Sequence, residues 1–141
     1  MSTPFEYPEP KARIAERLER HAIQPTPQRV EIAAILLAEM QHLSADQVLT
    51  RATKKGLAVS KATVYNTLGL FVARGLVREV IVDPGKVFYD SNTVPHYHFY
   101  NVDDGTLTDL DRSLAPLEHL PTPPAGTYTE AVDIVVRIRN R

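Results

Sequence analysis

The 141-residue chain contains no cysteine. That removes disulfides, thiolate zinc sites and thiol catalysis together, so any metal site must be built from histidine and carboxylate. No apolar run approaches the roughly 18 residues of a membrane span. The opening MSTPFEYPEP lacks the basic-then-apolar order of a secretory signal. A cytoplasmic protein with no membrane partner is the expectation. A strong excess of either charge is also missing, since the formal net charge is −1. Hydrophobic content of 43% and charged content of 23% are ordinary for a globular chain. The charge is nevertheless unevenly spread. Residues 1–92 carry a net +2 and residues 93–141 a net −3, so a polyanionic partner is expected to meet the first part.

What is present is well punctuated. Three prolines fall in the first ten residues, which read as a flexible arm. In KARIAERLERH, Ile14 and Leu18 stand one helical turn apart among charges, which predicts a short amphipathic helix. A second helix follows Thr26, a capping residue, with Pro27 at its first position. Ile32, Ile35, Leu36 and Met40 keep the helical spacing. Ser44 and Gln47 form a capping box for a third helix, which buries Val48, Leu49 and Ala52 and stops at Gly56. A fourth starts at Ser60, carries Val64, Leu68 and Phe71 on one face and closes at Gly75. LVREVIV and KVFYD then read as strands joined by Asp83-Pro84-Gly85, a type II turn. Helices followed by a strand hairpin are the pattern of a winged helix-turn-helix; any small α+β domain is the alternative.

After SNTVP a second unit begins. HYHFYNV and TLTDL read as strands around Asp103-Asp104-Gly105, and DRSLAPLEHL as a short helical piece. In TYTEAVDIVVRIR, Tyr128, Val132, Ile134, Val136 and Ile138 alternate onto one face, with Glu130 breaking the pattern. So few residues bury little core alone, and the apolar final strand suggests pairing with a second copy, a homodimer. The fold class is α+β, with residues 1–90 as the winged-helix domain and its arm, 91–95 as a hinge and 96–141 as a small α/β dimerisation domain.

The fourth helix is where DNA chemistry would sit. Ser60, Lys61 and Thr63 can reach phosphates. Ala62, Thr63 and Tyr65 can lie against thymine methyls, and Asn66 can bond a base edge. A plain surface helix with Tyr65 half-buried fits as well. Lys86 would stand at the wing tip, Lys11 and Arg13 after the loose arm, and Arg29 near a phosphate. Each alone reads as a solvated surface charge; together they surround one helix. The expected partner is double-stranded DNA, an AT-rich inverted repeat bound by a dimer with marked salt sensitivity. His96 and His98 stand one residue apart, so on a strand they share a face. Taken alone, H-x-H is equally a solvated sheet face. His21 and His119 read as surface residues.

TPQR at 26–29, HLSADQV at 42–48, SKATVYNTL at 60–68, GLV at 75–77 and FYDSNTVPHYHF at 88–99 together resemble the ferric uptake regulator family of metal-dependent transcription factors. The resemblance runs from about Ile14 to the C-terminus. Asp90 and the YNTL ending bring the chain nearest the peroxide-sensing and iron-response-regulator branches. The resemblance implies a regulatory metal held by His42, at the start of the third helix, with Asp90, His96, His98 and Asp109. Three imidazoles and two carboxylates suit Fe²⁺ or Mn²⁺, and Zn²⁺ as well. Many members add a structural zinc held by paired C-x-x-C motifs. Here Val102-Asp103-Asp104-Gly105 stands where the first pair would be, so no four-cysteine zinc is expected. Haem fits less well, because Pro95 interrupts the histidine run.

The expectation is therefore a metal-responsive repressor of iron, metal or oxidative-stress genes, not an enzyme. Peroxide sensing by oxidation of a ligand histidine is a variant. A haem-responsive or metal-independent DNA binder is the alternative. A small metallohydrolase is weaker still: five protein ligands leave no open coordination position, and no further general base has distinctive context.

Overall fold

The computed structural model describes residues 10–94, 96–110 and 120–141, which form two compact units dividing between Thr93 and Val94. The expected N-terminal arm, except Pro10, and the helical piece at 111–120, except Leu120, lie outside the described residues, as does His119. Among the described residues no helix is long and apolar enough to cross a membrane.

The first unit runs α1 (Lys11–Arg20), α2 (Pro27–Leu36), β1 (His42–Leu43), α3 (Ala45–Lys54), α4 (Lys61–Ala73), β2 (Arg78–Asp83) and β3 (Lys86–Asp90). Local chemistry starts each of the last three helices. Thr26 caps α2, with Pro27 at its first position. At α3, Ser44 Oγ accepts the Gln47 N–H at 3.2 Å, while Gln47 Oε1 accepts the Ser44 N–H at 2.9 Å. Ser60 Oγ accepts the Thr63 N–H at 3.0 Å and begins α4. Such caps satisfy backbone donors that have no partner inside a helix. Gly85, at φ +79°, supplies the left-handed residue that the Asp83–Lys86 turn requires.

Ile14, Leu18, Ile32, Leu36, Val48, Val64, Leu68 and Phe71 make one core, each 1% exposed or less. Their removal from water is the main force holding the helices together. The sheet order is β1-β3-β2, antiparallel throughout, so β3 is central.

The second unit holds β4 (Tyr97–Asn101), β5 (Leu107–Leu110) and β6 (Val135–Ile138) in the order β5-β4-β6. The β4–β5 turn is polar: Asn101 Oδ1 accepts the N–H groups of Asp103 and Asp104 at 2.9 and 3.3 Å. Asp103 in turn takes Arg139 Nη1 at 2.9 Å and the Asn140 N–H at 2.8 Å. This clasp ties the turn to the chain just beyond β6, in the place where thiolates were ruled out.

Four expectations need correction. His42 is not at the start of a helix; it lies in β1, and α3 begins after Ser44. The second helix ends at Leu36, leaving Met40 63% exposed and outside the core. The final strand is shorter than the alternation suggested: only Val135–Ile138 pairs, parallel to β4, because β4 offers partners only from His98 to Asn101. Tyr128, at 84% exposure, lies outside it. His21 is more than a surface residue: its Nδ1 donates to the Arg74 carbonyl at 3.0 Å, at the C-terminal end of α4.

Candidate metal centre and nucleic-acid interface

Each unit carries its own set of ligand-type side chains. In the first unit, Asp90 ends β3 directly opposite His42 on β1 and Arg78 on β2. Cross-strand partners share a sheet face, so the Arg78 side chain leaves the sheet on the same side as Asp90 and His42. His42 Nε2 stands 3.1 Å from Asp90 Oδ2. The other oxygen, Oδ1, accepts the Asn92 N–H at 2.9 Å, which fixes the carboxylate plane. Asp90 is 1% exposed. A buried carboxylate is costly unless its charge is compensated.

In the second unit, His98 and Asp109 are direct partners across the β4–β5 ladder. The strand begins at Tyr97, one residue later than expected, yet the His96 and His98 rings still lie 4.4 Å apart. Asp109 Oδ1 is 3.3 Å from His96 Nε2 and 3.4 Å from His98 Nε2. The ligand atoms of these three residues all lie within 4.8 Å of one another.

The protonation of His96 decides what such an arrangement can do. Its Nδ1 meets the Val94 carbonyl, which can only accept, so Nδ1 carries the proton. In the neutral ring, Nε2 then presents a lone pair toward Asp109. Two acceptors facing each other at hydrogen-bond distance repel unless a cation lies between them or the ring is protonated. A carbonyl bond to the far ring nitrogen is also how ligating histidines are oriented. Nitrogen and carboxylate donors in this state fit a divalent ion of the Fe²⁺, Mn²⁺ or Zn²⁺ type.

The residues expected to meet DNA separate into those on one face of α4 and those elsewhere. Ser60, Lys61, Ala62, Tyr65 and Asn66 are exposed, and Thr63 is half-exposed. Positions 61, 62, 65 and 66 recur at helical spacing, opposite the buried Val64, Thr67, Leu68 and Phe71. Lys61 Nζ sits 5.8 Å from the centre of the Tyr65 ring. Lys86 is exposed just beyond the wing turn. Lys11 and Arg13 lie in the first turn of α1, and Lys11 pairs with Glu31. Arg29 Nη1 donates to the Gln24 carbonyl at 3.1 Å. Sequence reasoning missed Arg78, Asn92 and Val94. Only Arg78 left a signal, since pairing β2 with β3 around the turn sets it opposite Asp90.

Comparison with known proteins gives matches in sequence and in fold. The model of the ferric uptake regulator family matches residues 20–119. The chain is 34% identical over 95 residues to the peroxide operon regulator of Bacillus subtilis, covering 67% of this chain and 66% of that protein. It is 32% identical over 93 residues to the peroxide-responsive repressor PerR of Staphylococcus epidermidis, covering 66% of this chain and 62% of that one. The match thus spans less than two thirds of the length of these relatives. Among solved structures, the ferric uptake regulator of Pseudomonas aeruginosa with manganese superposes with a TM-score of 0.66 at 25% identity, covering 89% of this chain and 96% of that one. That of Vibrio cholerae gives 0.70 at 19% identity, covering 89% and 98%, a likeness of fold.

Proposed function

Because the chain belongs to the ferric uptake regulator family, we propose that it is a metal-responsive, sequence-specific DNA-binding repressor of iron, metal or oxidative-stress genes. The observation that carries this reading is the gathering of His96 Nε2 and His98 Nε2 within 3.3–3.4 Å of Asp109 Oδ1, with the His96 nitrogen and the carboxylate oxygen both acceptors. The manganese-bound relative and the peroxide-responsive repressors support it.

In this reading His42 and Asp90 supply one half of the ligand set, and His96, His98 and Asp109 the other. Residues 1–90 are the DNA-binding domain, 91–95 the hinge and 96–141 the dimerisation domain. A divalent ion supplies the positive charge around which these imidazoles and carboxylates gather. The gathered ligands restrict the hinge, and that restriction favours one spacing of the two α4 helices in a homodimer. The shift extends only as far as the ion prefers that arrangement. Val136 and Ile138, each 38% exposed on β6, support self-association through that strand, which is at the sheet edge among the described strands. Tyr65, Asn66 and their neighbours read the major groove, and Lys86 meets the backbone. A cytoplasmic location belongs to the same proposal. No step is catalytic.

The test is selection of duplexes from a random pool by Mn²⁺-loaded protein. The expected result is enrichment of an AT-rich inverted repeat. A pool that stays unenriched after repeated rounds would sink the reading.

A further inference from the structure

The first unit contains a cleft of about 440 Å³ whose lining includes Ser44 and Asp46 at the start of α3, Tyr65 of α4, and Lys86 and Tyr89 of β3. Its contents are not those of an ordinary surface dent. Tyr89 packs its ring into the main core and is only 7% exposed, yet it borders the cleft. Burial pushes its phenol above the usual range, with Glu79 and Tyr65 adding to the effect and no hydrogen bond contributing. The phenol is therefore protonated at neutral pH. Among the described residues its hydroxyl has no hydrogen-bond partner. Tyr89 lines the same space as a lysine and the positive end of a helix dipole.

Those features suit an oxyanion. The groove-facing stripe of α4 supplies the cleft's Tyr65, with Lys61 over its ring, and the wing supplies Lys86. Two acidic groups oppose them: Glu79, paired with Tyr89 across the β2–β3 ladder, and Asp46. Asp46 stands in the first turn of α3, but its Oδ1 faces Lys61 Nζ at 3.9 Å, which offsets part of its charge. We propose that this cleft seats one phosphodiester of the DNA backbone, with the Tyr89 hydroxyl donating to a phosphate oxygen and Lys86 supplying the charge. The inference rests on the DNA-binding reading and adds Tyr89 and Asp46 to the residues that set affinity. A phosphate contact carries no base information, so its effect should be the same on every sequence.

The test is fluorescence anisotropy with the full-length, Mn²⁺-loaded protein on the selected duplex and on an unrelated one. Tyr89→Phe keeps the core ring and is expected to weaken both by about tenfold, the loss of a hydrogen bond to a charged group. Lys86→Ala, a surface change that leaves the core intact, should flatten the salt dependence by about one unit of slope per site occupied. Asp46→Asn should strengthen binding by about twofold, as removal of an exposed opposing charge. In duplexes with one methylphosphonate linkage, one backbone position should weaken wild type but leave Tyr89→Phe with no further loss. If wild type binds but Tyr89→Phe is unchanged and no linkage couples to it, the cleft assignment alone is wrong. A loss confined to the selected duplex would make Tyr89 a support for base readout and overturn the phosphate role. If wild type binds neither duplex, the DNA-binding reading fails and this inference with it.

Discussion

His98→Ala is expected to lower Mn²⁺ affinity by about 100-fold or more, at least the upper end of what loss of a supporting outer group costs a metal site. His98 is 2% exposed, and its ring lies 4.4 Å from that of His96. Its Nε2 stands 3.4 Å from Asp109 Oδ1, directly across the ladder. Alanine removes a nitrogen donor that no neighbour on β4 can replace, because Tyr97 and Phe99 point to the other face. The backbone ladder of β4 with β5 and β6 remains available, so loss of the ion should not be loss of the unit. The check is a Mn²⁺ titration in competition with a chromogenic chelator, read beside circular dichroism of both proteins. An affinity within about threefold of wild type, far short of a lost ligand, would mean that the histidine is structural.

Phe71→Ala is expected to destabilise the first unit by about 3–5 kcal/mol. Phe71 is 0% exposed on α4 and packs against the same core that holds Leu18, Ile32 and Val48. Truncation removes the transfer energy of the ring and leaves a cavity that helices held by capping and packing cannot fully close. The helical signal is the right probe, because every helix among the described residues lies in this unit. With two units, whole-chain unfolding need not be two-state, so the comparison is the urea midpoint of that signal at constant slope. A loss below about 1 kcal/mol would place Phe71 outside a well-packed core.

The parts of this fold that the sequence revealed are those decided locally. Thr26, the Ser44–Gln47 box and Ser60 each announce a helix start within four residues. Asp83-Pro84-Gly85 fixes a turn by backbone conformation alone. The parts that were hidden depend on distant partners. β1 is two residues long and exists because β3 offers it a ladder at Tyr89 and Asp90; nothing in His42-Leu43 has a period to read. The last strand is cut to the length of the β4 edge, whatever its own alternation. The same division runs through the candidate sites. The exposed stripe of α4 follows from helical spacing. His96 and His98 are suspicious by proximity, but Asp109 joins them through the hairpin register, Arg78 is set opposite Asp90 only through sheet pairing, and the Val94 carbonyl that fixes the His96 tautomer leaves no mark in the sequence. The contacts of Lys11 and Arg29 were hidden for a related reason. A basic residue's partner, Glu31 or the Gln24 carbonyl, is set by packing that its own neighbours do not encode.

The central proposal is that a divalent ion held by the histidines and aspartates named above governs DNA binding. It is tested most directly by anisotropy on the selected inverted-repeat duplex, with the protein first stripped by chelator and then titrated with Mn²⁺. The account predicts weak binding without metal and a rise of about tenfold to 100-fold on saturation, the usual size of coupling between two sites on one protein. Equal affinity in chelator and in saturating Mn²⁺ would contradict it.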